Sequence, residues 1–262
     1  MFRRLLRRLA PRRLQHGEEA TLVEHLTELR HRLVISLLAF IPAFIVAFAF
    51  HDNLIRWMRD LLPPDKRDDL VTLGVTEPFT TAVKVSMIVA FAIVLPLLLW
   101  QIWGFLAPAV EERTQRIISL FVVLATGLFA VGVAFCYIVV LPKALTFLTN
   151  FDEDLYTNQI RASYFLTFVA MTLLASGLAF EMPIFILALV RLGVLTSQRL
   201  RSNRRIGIVL MVGFAILLPT VDPVSLLFET IPLLILFEFS IWLAVFMERR
   251  WERSYTGYFE AS

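Results

Sequence analysis

The sequence has almost no cysteine and no catalytic motif. Its 262 residues include one cysteine, Cys136, so neither an internal disulfide nor a cysteine metal site is possible. Gly-rich phosphate loops, the HExxH zinc motif and nucleophile elbows are missing, and the four histidines lack the spacing of zinc ligands. These absences predict a protein without enzymatic activity, cofactor or metal, whose function rests on binding or on charges held at membrane depth.

Charged residues are also scarce, and they are unevenly distributed. Only 18% of the residues are charged, whereas 58% are hydrophobic and the mean hydropathy is +0.73. A soluble domain has about 45–50% apolar residues. Long uncharged stretches alternate with short charged ones, which is typical of repeated membrane spans. We therefore predict an all-α polytopic membrane protein whose bundle, residues 18–247, occupies a lipid bilayer.

Six apolar segments are predicted to cross the membrane, and the last two are unusual. The fifth has 13 residues before Pro219, or about 20 Å of helix, against a hydrocarbon core of about 30 Å. The sixth contains Glu229 and Glu238. We expect two short spans that thin the bilayer locally, with a re-entrant hairpin as the alternative. The six segments are 33–50, 85–107, 117–141, 164–190, 206–218 and 224–247.

The distribution of Lys and Arg predicts the orientation. If the N-terminus is cytoplasmic, the cytoplasmic segments hold 18 of the 25 basic residues and the opposite side holds 7. Because basic residues concentrate on the cytoplasmic side, both termini are expected inside a cell (inner) membrane. The basic residues flank apolar spans, which suits anionic lipid headgroups and not nucleic acid. Residues 1–17 are expected to form an amphipathic surface helix, and residues 248–262 a cytoplasmic tail.

Glutamates inside the apolar spans are candidate functional groups. An ionisable side chain at that depth costs several kcal/mol unless it is paired, wetted or protonated. Glu181 lies well inside span four, and Pro183 follows it, so we expect a polar notch beside a kink, with a purely structural hydrogen bond between helices as the alternative. Glu229 and Glu238 lie nine residues apart and therefore on opposite faces of span six. Glu229 is expected to be wet, and Glu238 to need a partner.

A further carboxylate lies just before span one. Glu28 and Arg32 are four residues apart on a predicted helix with a leucine stripe. The structural interpretation is a surface ion pair worth about 0.3–0.5 kcal/mol. The functional interpretation is a carboxylate at the cytoplasmic edge of the bundle that binds a cationic ligand.

Six short motifs follow one another along the chain, from residue 25 to residue 238. They are HLTELRHRL at His25–Leu33, TEPF at Thr76–Phe79, QIWGFLAPA at Gln101–Ala109, FEMP at Phe180–Pro183, DP at Asp222–Pro223 and LFE at Leu236–Glu238. In this order they resemble the motifs of the TatC family, whose members are subunits of the twin-arginine protein-export system.

The resemblance implies a receptor for signal peptides with paired arginines, which exports folded proteins with the proton-motive force. Two arginines need carboxylates, because charge-assisted hydrogen bonds give strength and geometry. Glu28 matches the family's acidic residue and Phe105 an aromatic residue of the recognition region. The family's second glutamate aligns with Thr114, so Glu111 or Glu112 is expected to substitute for it. The apolar part of the signal is expected to insert towards Glu181.

The resemblance also implies partners. TatC-like proteins bind TatA-like and TatB-like single-span subunits on spans five and six, and are expected to self-associate in a receptor complex. Asp222 lies in the turn between these spans, and the family's following glutamine aligns with Leu226, so Glu229 is expected to supply the polar contact. The Pro219–Asp222 turn also departs from the family's T-P-P-D.

Two other functions are alternatives to the receptor. A proton-coupled transporter using Glu181 predicts an inverted repeat or paired half-helices, and the sequence shows neither. An intramembrane hydrolase would need a nucleophile and a base at membrane depth, and no such pair is present.

Overall fold

The computed structural model describes residues 22–106, 114–152, 155, 159–191, 193–219 and 222–259, without the side chains of 22–26, 103–119 and 249–259. This part of the chain is mostly helical. The predicted surface helix at 1–17 lies outside it. Ten α-helices follow one another: α1 Leu22–Ala49, α2 His51–Arg59, α3 Glu77–Leu106, α4 Thr114–Phe135, α5 Leu141–Asn150, α6 Ala162–Phe180, α7 Met182–Arg191, α8 Ser197–Ser202, α9 Arg204–Leu217 and α10 Pro223–Phe259.

Shorter elements connect these helices. A π-helical segment, Cys136–Val140, joins α4 to α5 without a break in direction, and a 3-10 turn covers Pro64–Lys66. Two short strands, β1 Leu70–Val71 and β2 Ile160–Arg161, pair in parallel. Because lipid offers backbone groups no hydrogen-bond partner, helices with internal bonds are the expected way to cross it.

Among the described residues, five apolar helical stretches are long enough to cross a membrane. They include the stretches that run through the α4–α5 and α6–α7 junctions, and they confirm the predicted polytopic helical class. The five are Thr27–Ala49, Glu77–Ile102, Leu120–Asn150, Ala162–Arg191 and Pro223–Glu248.

The fifth predicted span is short, and the sixth is not. Helix α9 has 14 residues, or about 21 Å, which is less than the hydrocarbon core of about 30 Å. The apolar part of α10 has 26 residues, so the expectation of a short sixth span is wrong. The apolar part of α10 extends beyond the point where α9 begins, and α8 packs against this extra part of α10. The predicted boundary at 247 does not interrupt α10, which continues to Phe259.

Small residues allow close packing in the centre of the bundle. A Cβ atom on Gly177 of α6 would lie 2.5 Å from the ring of Phe129 on α4, and one on Gly132 would lie 2.8 Å from Phe180. Close approach of helix backbones replaces the hydrophobic driving force, which is weak between helices in lipid. The tight contact between α4 and α6 therefore fixes the junction at which α6 ends.

The two ends of the bundle differ in construction. The cap end consists of residues 50–76 and the described residues 151, 152, 155 and 159–161, where α2, the 3-10 turn, β1 and β2 lie. The rim end holds the beginning of α1, the end of α3, and α8. At the rim end, the backbone N–H of Ser197 donates to Oε1 of Glu248 at 3.0 Å and joins α8 to α10.

Candidate functional site

The carboxylate of Glu28 lies at the rim end, where α1 meets the last turns of α3. Arg32, one turn later, donates from Nε and Nη2 to Oε1 of Glu28, at 3.0 and 2.5 Å. Arg32 also donates from Nη1 to Oε1 of Gln101 on α3, at 3.1 Å. The side chain of Glu28 is 23% exposed. The predicted ion pair is confirmed, and the structure adds Gln101, which no spacing within one helix could indicate.

The other predicted residues of the recognition region are only partly described. Phe105 belongs to the last turn of α3, four residues after Gln101, but its side chain lies outside the description. Glu111 and Glu112 lie outside the described residues altogether. The rim site is therefore defined by Glu28, Arg32 and Gln101.

Glu181 interrupts the fourth span, between α6 and α7. Its side chain is 1% exposed, and within the described chain neither carboxylate oxygen has a hydrogen-bond partner. Its backbone carbonyl accepts from the N–H groups of Ile184 and Phe185, which start the next helix around Pro183. The expected buried acid beside a helix break is present. An ionised carboxylate at this position would lack every compensating contact and would cost several kcal/mol.

Glu238 has the partner that was expected for it, although it is exposed, whereas Glu229 is buried. Glu238 is 45% exposed, and its Oε2 lies 3.3 Å from Nη2 of Arg204 at the start of α9. Glu229 is 3% exposed, because its face of α10 packs into the bundle towards α6 and the π-helical segment. The expected wet position of Glu229 is therefore wrong. In the described structure, Glu238 also makes no contact with Glu181.

Asp222 has a local structural role besides its predicted docking role. Its Oδ1 accepts from the backbone N–H of Ser225 at 2.7 Å, and Pro223 follows as the first residue of α10. An aspartate before a first-turn proline is a favourable helix start, because it satisfies a backbone donor that has no partner within the helix. Asp222 thus fixes the beginning of α10 after the turn from α9.

Glu77 is a buried site residue whose role the sequence did not reveal, although its TEPF motif is visible. Its Oε1 accepts from Nε of Arg161 at 2.9 Å and from Oγ of Ser163 at 2.5 Å. Its Oε2 accepts from the backbone N–H of Leu73 at 2.8 Å. The hydrogen bond to Glu77 raises the pKa of Arg161, and the guanidinium lies 5.0 Å from the ring centre of Tyr164. This cluster joins the two segments of the cap end beside the β1–β2 pair.

These features define a polytopic helical membrane protein in which the partly exposed carboxylate of Glu28 lies at the rim end. Comparison with known proteins then shows the family. The model of Sec-independent protein translocase protein (TatC) matches residues 24–232, and the chain belongs to the TatC family.

The relatives match over most of their length. A Sec-independent protein translocase protein TatC from Aquifex aeolicus is 37% identical over 234 residues, which cover 87% of this chain and 96% of the relative. The TatCd protein of Bacillus subtilis is 32% identical over 241 residues, 92% of this chain and 98% of the relative. A crystal structure of the twin arginine translocase receptor TatC in DDM has a TM-score of 0.74 and 34% identity, and covers 84% of this chain and 99% of that one.

Proposed function

We propose that this chain is the signal-peptide receptor subunit of a twin-arginine translocase, which exports folded proteins across the cell membrane with the proton-motive force. The observation that carries the proposal is the half-buried carboxylate of Glu28 at one end of a TatC-family bundle. It already binds one guanidinium, that of Arg32, so its geometry suits the side chain that a twin-arginine signal presents. The family match leaves the transporter alternative without support.

The rim end would face the cytoplasm. The count of 18 basic residues against 7 favours this orientation, with both termini inside and the cap end outside. Lipid headgroups would bind the flanking arginines, and no feature calls for nucleic acid.

A signal peptide would bind in two parts. One arginine would donate to Glu28, and the second to Glu111 or Glu112 in the segment after α3, with Phe105 beside them. Charge-assisted hydrogen bonds of a guanidinium to carboxylates supply both strength and direction. The apolar part would lie along the apolar bundle wall. Glu181 is buried behind this wall, so a peptide would reach it only after α6 and α7 move.

TatA-like and TatB-like single-span subunits would pack on α9 and α10. Exposed apolar side chains support this site: Ile216 and Leu217 on α9, and Leu227 and Ile231 on α10. Asp222 would act by fixing the beginning of α10, and buried Glu229 would act from behind this surface without direct contact. Helix α9 is too short for the bilayer, so partner helices would assemble beside a thinned region. Self-association of receptor subunits belongs to the same proposal.

Site-specific crosslinking to a twin-arginine signal peptide tests the receptor function, with a twin-lysine peptide as the comparison. We expect Glu28→Gln to lower capture of the twin-arginine peptide at least about tenfold, because it removes the carboxylate acceptor and leaves the positive charge of Arg32 uncompensated beside the incoming arginine. Glu238→Gln is the matched control, since Glu238 is also half-exposed and bound to an arginine, but lies on α10. Equal capture of both peptides by the unmodified chain would contradict the proposal.

A further inference from the structure

The arginine bound to Glu28 has a fixed position, unlike a solvated surface side chain. Its guanidinium contacts acceptors on two helices, Glu28 on α1 and Gln101 on α3, the latter 69 residues away. Nη1 also lies 3.4 Å from the backbone carbonyl oxygen of Gln101. An ion pair within one helix needs no such anchor, so the contact with Gln101 indicates that Arg32 is held in place at the rim.

Arg32 occupies one half of the Glu28 carboxylate. Both of its hydrogen bonds end on Oε1, and no donor among the described residues reaches Oε2. The guanidinium cancels the net charge of the carboxylate, while Oε2 keeps its capacity to accept hydrogen bonds. The site therefore offers an oriented acceptor with little net charge.

We propose that Arg32 is a specificity-determining residue of the peptide site, because it cancels the charge of Glu28 and fixes Oε2 as the acceptor for an incoming guanidinium. The inference rests on the receptor function proposed above. A lysine ammonium is attracted chiefly as a point charge, whereas a guanidinium has planar, directional donors. A neutralised but oriented acceptor thus disfavours lysine more than arginine. Gln101 acts through Arg32 as a positioning residue.

The test is the ratio of affinities for a twin-arginine signal peptide and its twin-lysine counterpart, measured on the full chain in detergent. In Arg32→Gln the carboxylate regains its net charge and its rotational freedom. We expect the twin-lysine peptide to bind more tightly and the twin-arginine peptide to change less. The arginine-to-lysine ratio should then fall about two- to fivefold, the size expected for one partly exposed ion pair.

Two further variants separate charge from orientation. Gln101→Met keeps the pair between Arg32 and Glu28 and the contact with the backbone carbonyl, but it removes the side-chain anchor. The ratio should therefore fall less, in the same direction. Arg32→Lys keeps the cancelling charge but cannot contact both helices with a planar fork. In that variant twin-lysine binding should stay low while twin-arginine binding weakens.

An unchanged ratio in Arg32→Gln and Gln101→Met, or equal weakening of both peptides, would overturn the inference and leave Arg32 with a structural role only. If Arg32→Gln does not fold, Gln101→Met decides the question. Failure of the receptor function looks different: the unmodified chain would then not distinguish the two peptides, or Glu28→Gln would bind as before. If both of those behave as expected and the ratio stays constant, only the inference about Arg32 is wrong.

Discussion

Two carboxylates, one at each end of the bundle, bind an arginine in very different ways. Glu77 at the cap end is 6% exposed, and both of its oxygens accept hydrogen bonds, from Leu73, Arg161 and Ser163. Glu28 at the rim end is 23% exposed, and its described bonds involve only Oε1.

Exposure and hydrogen bonding together distinguish a structural carboxylate from one that binds a ligand. Arg161 lies 84 residues from Glu77, so their bond closes a long segment of chain and ties the two parts of the cap end together. The bond between Arg32 and Glu28 joins adjacent turns of one helix and closes no long segment of chain. A buried carboxylate bonded to other parts of the fold stabilises it, whereas a partly exposed carboxylate with one oxygen free among the described residues remains available to a ligand.

Removal of the Glu77 carboxylate at the cap end should have the largest effect on stability. Glu77→Ala removes all three hydrogen bonds and leaves the guanidinium of Arg161 without its carboxylate. We expect the melting temperature in detergent to fall by about 5–10 °C, because bonds to charged groups are the strong ones. Glu238→Ala is the control, since it also loses an arginine contact, but at a half-exposed position. Its melting temperature should fall by less than about 2 °C, and equal losses in both variants would contradict the comparison.

The carboxylate of Asp222 should be structural like that of Glu77, with a smaller effect on stability. Asp222 is buried and bonded to the backbone of Ser225, so it should also be structural. We expect Asp222→Ala to lower the free energy of unfolding by about 1 kcal/mol, the typical loss for a helix N-cap, and Asp222→Asn to lose much less. Denaturant titration in mixed micelles measures both values. A loss in Asp222→Asn as large as in Asp222→Ala would show that capping is not its task.

The smallest predicted effect is that of salt, which should weaken peptide binding at the rim end but leave the stability contribution of the cap end unchanged. Arg32 cancels the charge of Glu28, so the salt effect would come from the contact proposed between the second arginine and Glu111 or Glu112. Raising NaCl from about 50 mM to about 500 mM should screen that contact and weaken binding of the twin-arginine peptide about threefold. The destabilisation by Glu77→Ala should stay constant over the same range, since that carboxylate is buried. Peptide titrations and thermal unfolding at matched salt measure both. Binding that does not respond to salt would contradict an electrostatic rim site.

Helical periodicity predicted what lies within one helix. The bond between Glu28 and Arg32 follows from their spacing, and the shortness of α9 follows from an apolar run that ends at Pro219. The contact with Gln101 depends on how α1 packs against α3, and the partners of Glu77 are far away in the chain. Neither leaves a periodic signal in the sequence.

The same limit explains why the sequence does not predict the burial of Glu229 or the exposure of Glu238. Their spacing correctly predicts opposite faces of α10, but it does not say which face meets the bundle. Packing of α10 against the π-helical segment decides that Glu229 is buried. Because α9 begins beside Glu238, Arg204 becomes its partner. The N-cap role of Asp222 has a signal in the sequence, an aspartate before a first-turn proline, and it differs from the docking role that the family resemblance implies.

The most direct test of the central claim compares Glu28→Gln with Glu77→Gln in one assay. Binding of a fluorescent twin-arginine signal peptide and the melting temperature are measured on the same detergent-solubilised samples. We predict that Glu28→Gln loses at least about tenfold in affinity with an almost unchanged melting temperature, and that Glu77→Gln unfolds at a lower temperature but still binds. Full binding by Glu28→Gln, or loss of binding by a folded Glu77→Gln, would contradict the account.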